Sequence, residues 1–249
     1  MSPDTLFAKI FNRLTIGWHE VETFRKIGKY GLPDASAQYY VEQEDFVAEL
    51  IADENLSKCL VDVKTFVEDG HASRTPDFLT KSAISVFRLH LDSASLVFAH
   101  SILDAALLDL CDVCSMLAPR DWLPVLALKK VDIGSVFNKG MDDLLHELIQ
   151  KKLEELERES LLKKVDLIFQ LCQPDGRVVE PAGFRFDRDR LLSLDGFRHE
   201  IVHSNGKRDD SRDIDADLEF MRNCGLHLWC HVNLRYGIRL DPNLFLVPA

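Results

Sequence analysis

The chain has 249 residues, 46% of them hydrophobic and 29% charged, and it carries a formal net charge of −11. This composition belongs to a globular protein able to bury a core and excludes a disordered chain. The negative charge disfavours a general nucleic-acid coat and adhesion to an anionic membrane surface, because both require a positive field, although a small basic pocket on an acidic body is compatible with it.

The hydrophobic pattern is helical almost throughout, and strand patterning is nearly absent. In chain order, the predicted helices cover residues 7–30, 34–55, 56–67, 75–117 (one helix or two in series), 141–169, 187–203 and 210–236. The short apolar run 177–180 is interpreted as part of a loop, with a minor strand as the alternative. Successive helices joined by short connections pack helix on helix. The sequence therefore predicts an all-α protein.

Gly70, Ser73 and Pro76 interrupt the helical pattern and mark a domain boundary. We therefore expect an N-terminal helical extension over residues 1–75 and a helical core domain over residues 76–249. The sequence assigns no role to the extension.

The most apolar stretch covers residues 94–117 and is interrupted by His100, Asp104, Asp109 and Asp112. Interruptions of this kind favour a core helix over a membrane span. The chain also begins without the positively charged and apolar regions of a signal peptide. We therefore expect a cytoplasmic protein with no membrane partner, whose six cysteines are reduced and packed.

The helix predicted over residues 187–203 carries the segment Arg198-His199-Glu200-Ile201-Val202-His203. The apolar residues of this helix recur on one face and form a predicted buried stripe, which consists of Leu191, Leu194, Phe197 and Ile201. Arg198 and His203 lie five positions apart, so about 140° separates their directions around the helix. Their side chains therefore meet only at the C-terminal end of the helix, or where two helices or two subunits pack together.

The spacing Arg198-x4-His203 resembles the R-x4-6-H signature of HEPN domains. The longer string RHEIVHSNG, from Arg198 to Gly206, is similar to the R-H-x-I-V-H-x-N-G form of HEPN subfamilies associated with RNA metabolism and prokaryotic conflict systems. On an earlier helix, the segment His100–Asp104 resembles the acidic position that many HEPN proteins carry on their first core helix. The resemblance covers roughly residues 80–236.

The resemblance implies an up-and-down helical bundle, a homodimer whose motif helices form a composite site, and RNA cleavage without a metal or other cofactor. His203 would act as general base on the 2′-hydroxyl or as general acid on the leaving oxygen, because imidazole titrates near neutral pH. Arg198 would clamp the phosphate and its transition state, because a guanidinium matches phosphate oxygens. The implied partners are an RNA substrate and an antitoxin or effector protein. The expected residues are catalytic Arg198 and His203, supporting His199, Asp104 and Asn205, and RNA-binding Lys207, Arg208 and Arg190.

Three alternatives stay open for this segment. A HEPN fold also serves as a catalytically silent interaction or RNA-sensing module. His199-Glu200-x-x-His203 matches the H-E-x-x-H pattern of zinc hydrolases, in which two histidines bind zinc and the glutamate is the base; this interpretation is disfavoured because zincins pack that helix against a sheet. The third alternative is a charged helix end without function, in which Arg198 pairs with Asp195.

Two further pairs have the spacing of metal ligands, Cys111-x2-Cys114 and Cys224-x2-His227. A spacing of three residues on a helix also simply marks one buried face. We favour the buried face and expect no metal.

Overall fold

The computed structural model describes residues 1–29, 31, 75–126, 140–173, 186–203 and 212–238, with the backbone alone described for residues 75–86, 88, 89 and 203. In chain order, the elements are α1 (Pro3–Asn12), a π-helical turn (Arg13–Gly17), α2 (18–29), α3 (Thr75–Leu117), a 3-10 turn (Pro119–Trp122), α4 (Met141–Leu156), α5 (Leu161–Cys172), α6 (Arg188–His203) and α7 (Ile214–Tyr236). These ranges contain helices and no strand, so the predicted all-α fold is confirmed.

Most of the predicted helices in the described ranges are present. Residues 75–117 form one helix of 43 residues rather than two in series. The prediction of one helix over residues 141–169 is wrong in one respect, because the helix is interrupted between α4 and α5. Ser160 caps α5 there by accepting a hydrogen bond from the backbone N–H of Lys163 at 3.3 Å. The helices predicted over 34–55 and 56–67, and the run 177–180, lie outside the described residues.

The first helix is part of the core. Phe7 stacks on Trp229 of α7 with ring centroids 4.5 Å apart, and the indole Nε1 of Trp229 donates to the carbonyl oxygen of Phe7 at 3.0 Å. Further along, Leu14 packs against Gly225, where an added β-carbon would lie 2.5 Å from a methyl carbon of Leu14. The π-helical turn and α7 therefore approach closely because Gly225 carries no side chain.

The chain divides into two compact units, one made of Met1–Val21 with Leu96–Ala249, and the other of Glu22–Ser95. The first 21 residues thus group with the core, whereas the sequence suggested an extension over residues 1–75. The predicted boundary itself adjoins residues that the structure does not describe and stays a prediction. Within the second unit, Arg25 pairs with Asp92 at 2.9 Å.

By length and composition, the segment His90–Leu117 of α3 is able to cross a membrane. Half of its most apolar window is buried inside the protein, and core helices of soluble proteins meet the same criterion. Its buried residues include Leu96, Leu103 and Leu110, which belong to the main hydrophobic core. A cytoplasmic location stays a prediction.

The buried stripe predicted for α6 is confirmed. Leu191 and Leu194 are fully buried, Phe197 is 5% exposed, and Ile201 is partly buried against the same core. This stripe attaches α6 to the bundle and so determines which face of the helix carries the Arg198 segment to the surface.

Gly196 of α6 gives a direct test of this helix. A β-carbon at Gly196 would meet no atom within 4 Å, so Gly196→Ala is expected to raise the free energy of unfolding by about 0.5–1 kcal/mol through helix propensity. Urea denaturation measures the change. Gly225→Ala is the matched control, because its new methyl group overlaps Leu14 and should give no such gain. Destabilisation by Gly196→Ala would contradict the open space above this residue.

Candidate functional site

The C-terminal half of α6 presents the motif at the surface of the protein. Arg198, His199 and Glu200 are exposed, and Val202 is 52% exposed. Three consecutive polar residues at a helix end are expected to face solvent. Val202 adds an apolar side chain to the same surface. These four residues form an exposed surface, called the motif face below.

Arg198 is exposed even though its angular position around the helix axis is that of core-facing residues. At about 100° per residue, Arg198 points between the directions of Leu191 and Leu194, which are both fully buried. Over the last turns of α6 the apolar contact continues through Phe197 and Ile201 instead. The side of α6 that carries Leu191, Leu194 and Arg198 therefore contacts the core only in the residues that precede the motif.

The side chain of Arg198 forms no hydrogen bond or ion pair with another residue in the described part of the chain. The other two arginines of α6 behave differently. Arg188 pairs with Asp166 at 2.5 Å, and Arg190 pairs with Asp217 at 2.9 Å. The guanidinium of Arg198 thus keeps its donors for solvent or a ligand.

Asp195, suggested in one alternative as the partner of Arg198, is bound elsewhere. Its Oδ1 lies 2.8 Å from Nε2 of His100, and its Oδ2 accepts from the backbone N–H of Leu161 at 3.0 Å. Sequence reasoning assigned no role to His100. Its place on the buried face of α3 was the available signal, because a buried imidazole requires a polar partner.

Asp104, expected to support the motif, instead accepts a hydrogen bond from Nζ of Lys164 at 2.5 Å. The Lys164 side chain is 1% exposed and the Asp104 side chain is 34% exposed. A buried ammonium needs a compensating carboxylate, so Asp104 neutralises Lys164 between α3 and α5. The structure thereby gives Asp104 a partner other than the motif residues.

Arg190, expected to bind RNA, contacts the protein's own residues. Its Nε donates to Asp217 at 2.9 Å, and its guanidinium lies 4.8 Å from the ring centroid of Phe220. Asp217 is 4% exposed and also accepts from Nε of Arg212, whose guanidinium covers the ring of Phe197 at 4.7 Å. Arg190 and Arg212 thus balance a buried carboxylate where α6 meets α7.

The remaining predicted site residues are not placed. His203 ends α6, and its side chain lies outside the described residues. The same holds for Asn205, Lys207 and Arg208. The relation between the Arg198 and His203 side chains therefore stays a prediction.

The cysteine pairs do not form a described metal site. Within the described ranges, no group of three or more histidine, cysteine, aspartate or glutamate residues is arranged to hold a metal ion. Cys111 and Cys114 are fully buried, and burial raises the pKa of the Cys111 thiol. Partial burial lowers the pKa of His227. A protonated, buried thiol acts as a small apolar side chain.

Comparison with known proteins yields no relative, because no family model, curated protein or solved structure matches the chain. The class that the fold and the surface define is an all-helical protein with an arginine- and histidine-bearing helix end exposed to solvent.

Proposed function

We propose that this chain is a metal-independent endoribonuclease of the HEPN type, with Arg198 and His203 as its catalytic residues. The observation that carries the proposal is the state of Arg198. It is exposed and unpaired among the described residues, while Arg188 and Arg190 on the same helix are both paired with aspartates. An arginine that binds a substrate phosphate must be available in this way.

The proposed reaction is attack of the RNA's own 2′-oxygen on the adjacent phosphorus. The new bond joins the 2′-oxygen to phosphorus, the bond to the 5′-oxygen breaks, and the products are a 2′,3′-cyclic phosphate and a 5′-hydroxyl end. His203 removes the 2′-proton or returns a proton to the leaving oxygen. Arg198 stabilises the charge that gathers on the phosphate oxygens, and the exposed His199 assists it.

The proposal includes a homodimer in the cytoplasm whose two motif faces share one composite site. Two copies would bring together two Arg198 and two His203 residues and concentrate positive charge on an acidic protein of net charge −11. Leu192 and Val202, which are 49% and 52% exposed on α6, would be covered in part by such a contact. An RNA and an antitoxin or effector protein are the proposed partners. A sedimentation mass of a 28.4 kDa monomer would contradict the dimer.

The second candidate is a catalytically silent interaction or RNA-sensing module. It is favoured by the intramolecular use of Asp104 and Arg190, two of the predicted site residues that serve the fold. The zinc hydrolase alternative finds less support, since zincins place the H-E-x-x-H helix against a sheet and the described ranges contain no strand.

A direct test compares RNA with DNA of the same sequence, each incubated with the protein in the presence and in the absence of EDTA. The proposal predicts cleavage of RNA alone, because DNA has no 2′-hydroxyl, and product ends that carry 2′,3′-cyclic phosphate. Cleavage of both polymers would contradict the mechanism, and cleavage that EDTA abolishes would favour a metal hydrolase. Binding of RNA without any cleavage would favour the sensing module.

A further inference from the structure

One carboxylate connects three helices directly below the motif face. Asp195 lies on α6, and its two oxygens contact Nε2 of His100 on α3 and the backbone N–H of Leu161 at the start of α5, at 2.8 Å and 3.0 Å. The side chain of His100 is 6% exposed and that of Asp195 is 21% exposed. An ionised carboxylate only accepts hydrogen bonds, so Nε2 of His100 carries the proton of this bond.

The contact with α5 is a helix cap supplied from another helix. Leu161 is the first residue of α5, and its N–H has no acceptor within that helix. A carboxylate at a helix N-terminus also interacts favourably with the helix dipole. Asp195 therefore satisfies a buried polar group on each of its two neighbouring helices.

Asp195 precedes Arg198 by three positions and His199 by four, so the three residues lie on one face of α6, a single turn apart. Arg198 and His199 are both exposed and belong to the motif face. Asp195 attaches this face of α6 to α3 and α5, whereas the Arg188–Asp166 pair joins the opposite end of α6 to α5.

We propose that Asp195 and His100 are positioning residues, which hold the Arg198-bearing half of α6 in register with α3 and α5. This inference rests on the proposed function where it concerns activity. A displacement of about 1 Å in a catalytic group costs roughly a hundredfold in rate, so a loosened helix end should lower kcat more than it changes KM.

The test replaces Asp195 with leucine, which has a similar volume and no polar atoms, and with asparagine. The Oδ1 of asparagine can still accept from the N–H of Leu161, and its Nδ2 donates to Nε2 of His100 once the imidazole proton moves to Nδ1. Amide hydrogen exchange at residues 196–203 is the first readout. Asp195→Leu is expected to accelerate this exchange about tenfold, the effect of losing a charge-assisted hydrogen bond. Asp195→Asn should restore most of the protection.

The second readout is RNA cleavage per folded molecule, well below the unfolding temperature. Asp195→Leu should lower kcat by about ten- to a hundredfold with little change in KM, and Asp195→Asn should recover much of it. Asp166→Leu is the matched control, because it removes the exposed ion pair between the same two helices, α5 and α6, and should alter neither readout. If Asp195→Leu does not fold, His100→Leu removes one of the two contacts and carries the same expectations.

The possible outcomes separate this inference from the proposed function. Unchanged exchange at residues 196–203 in Asp195→Leu, or faster exchange with unchanged kcat, would overturn the positioning role. An equal effect of Asp166→Leu would do the same. A wild-type protein that cleaves no RNA would refute the proposed function, and the exchange measurement alone would then decide whether Asp195 fixes the end of α6.

Discussion

Replacing Asp104 with leucine is expected to lower the free energy of unfolding by about 3 kcal/mol, at the lower end of the cost of breaking a buried ion pair. The reason is that Lys164 is 1% exposed and would keep a buried ammonium without its carboxylate. The Asp104 side chain is about a third exposed, so water partly compensates the loss. Urea denaturation followed by circular dichroism measures this change.

The matching variants make the prediction specific. Lys164→Met leaves a carboxylate that reaches solvent, so it should cost less than Asp104→Leu. The double variant Asp104→Leu/Lys164→Met should recover most of the lost stability, because an apolar pair of similar volume often replaces a buried ion pair at little cost. Additive losses in the double variant would show that the two side chains do not act as a pair.

Replacing Arg198 with alanine is expected to reduce kcat for RNA cleavage by about a hundred- to a thousandfold, the usual effect of removing one group that stabilises transition-state charge. The fold should be unaffected, since Arg198 is exposed and has no partner among the described residues. Arg198→Lys should recover only part of the rate, because an ammonium keeps the charge but cannot bind two phosphate oxygens side by side. Steady-state kinetics on a labelled RNA, together with the melting temperature, measure both expectations.

Arg188→Ala is the control for this experiment. Arg188 is also a largely exposed arginine on α6, but it forms a surface pair with Asp166 at the other end of the helix. Its replacement should leave the rate within about twofold, as surface pairs contribute little. Equal losses in Arg188→Ala and Arg198→Ala would indicate a general effect of charge, which contradicts a specific role of Arg198.

The helices and their buried faces follow from local patterns and were therefore predictable. The spacing of Leu191, Leu194 and Phe197 predicted the core side of α6, and that side is buried. The break between α4 and α5 was missed because Glu157, Arg158 and Glu159 are compatible with a helix. Only Ser160, a favourable cap, marks the new start.

The pairings below the motif were not predictable, since they join residues that are distant in sequence. Asp104 meets Lys164 across 60 positions, and His100 meets Asp195 across 95. From sequence, Asp104 was predicted to support the motif, and nothing in the sequence pointed to Lys164 as its partner. The packing of α3 against α5 brings Asp104 to Lys164, so this predicted site residue forms an ion pair within the protein.

The role of the first helix shows the same limit. Residues 1–75 lie outside the HEPN resemblance, so they were assigned to an extension. Phe7 of α1 and Leu14 of the following π-helical turn form an apolar face that is fully buried against the core. Helical spacing alone predicts such a face, but not the helix that covers it. Here the partner is α7, more than two hundred positions later, through Trp229.

The most direct test of the central claim is cleavage of a mixed RNA pool in EDTA by four proteins: wild type, Arg198→Ala, His203→Ala and the control Arg188→Ala. We predict that wild type and Arg188→Ala cleave RNA and leave 2′,3′-cyclic phosphate ends, whereas the other two are inactive although folded. Equal cleavage by all four, or no cleavage by any of them when all are folded, would contradict the claim that Arg198 and His203 form a ribonuclease site.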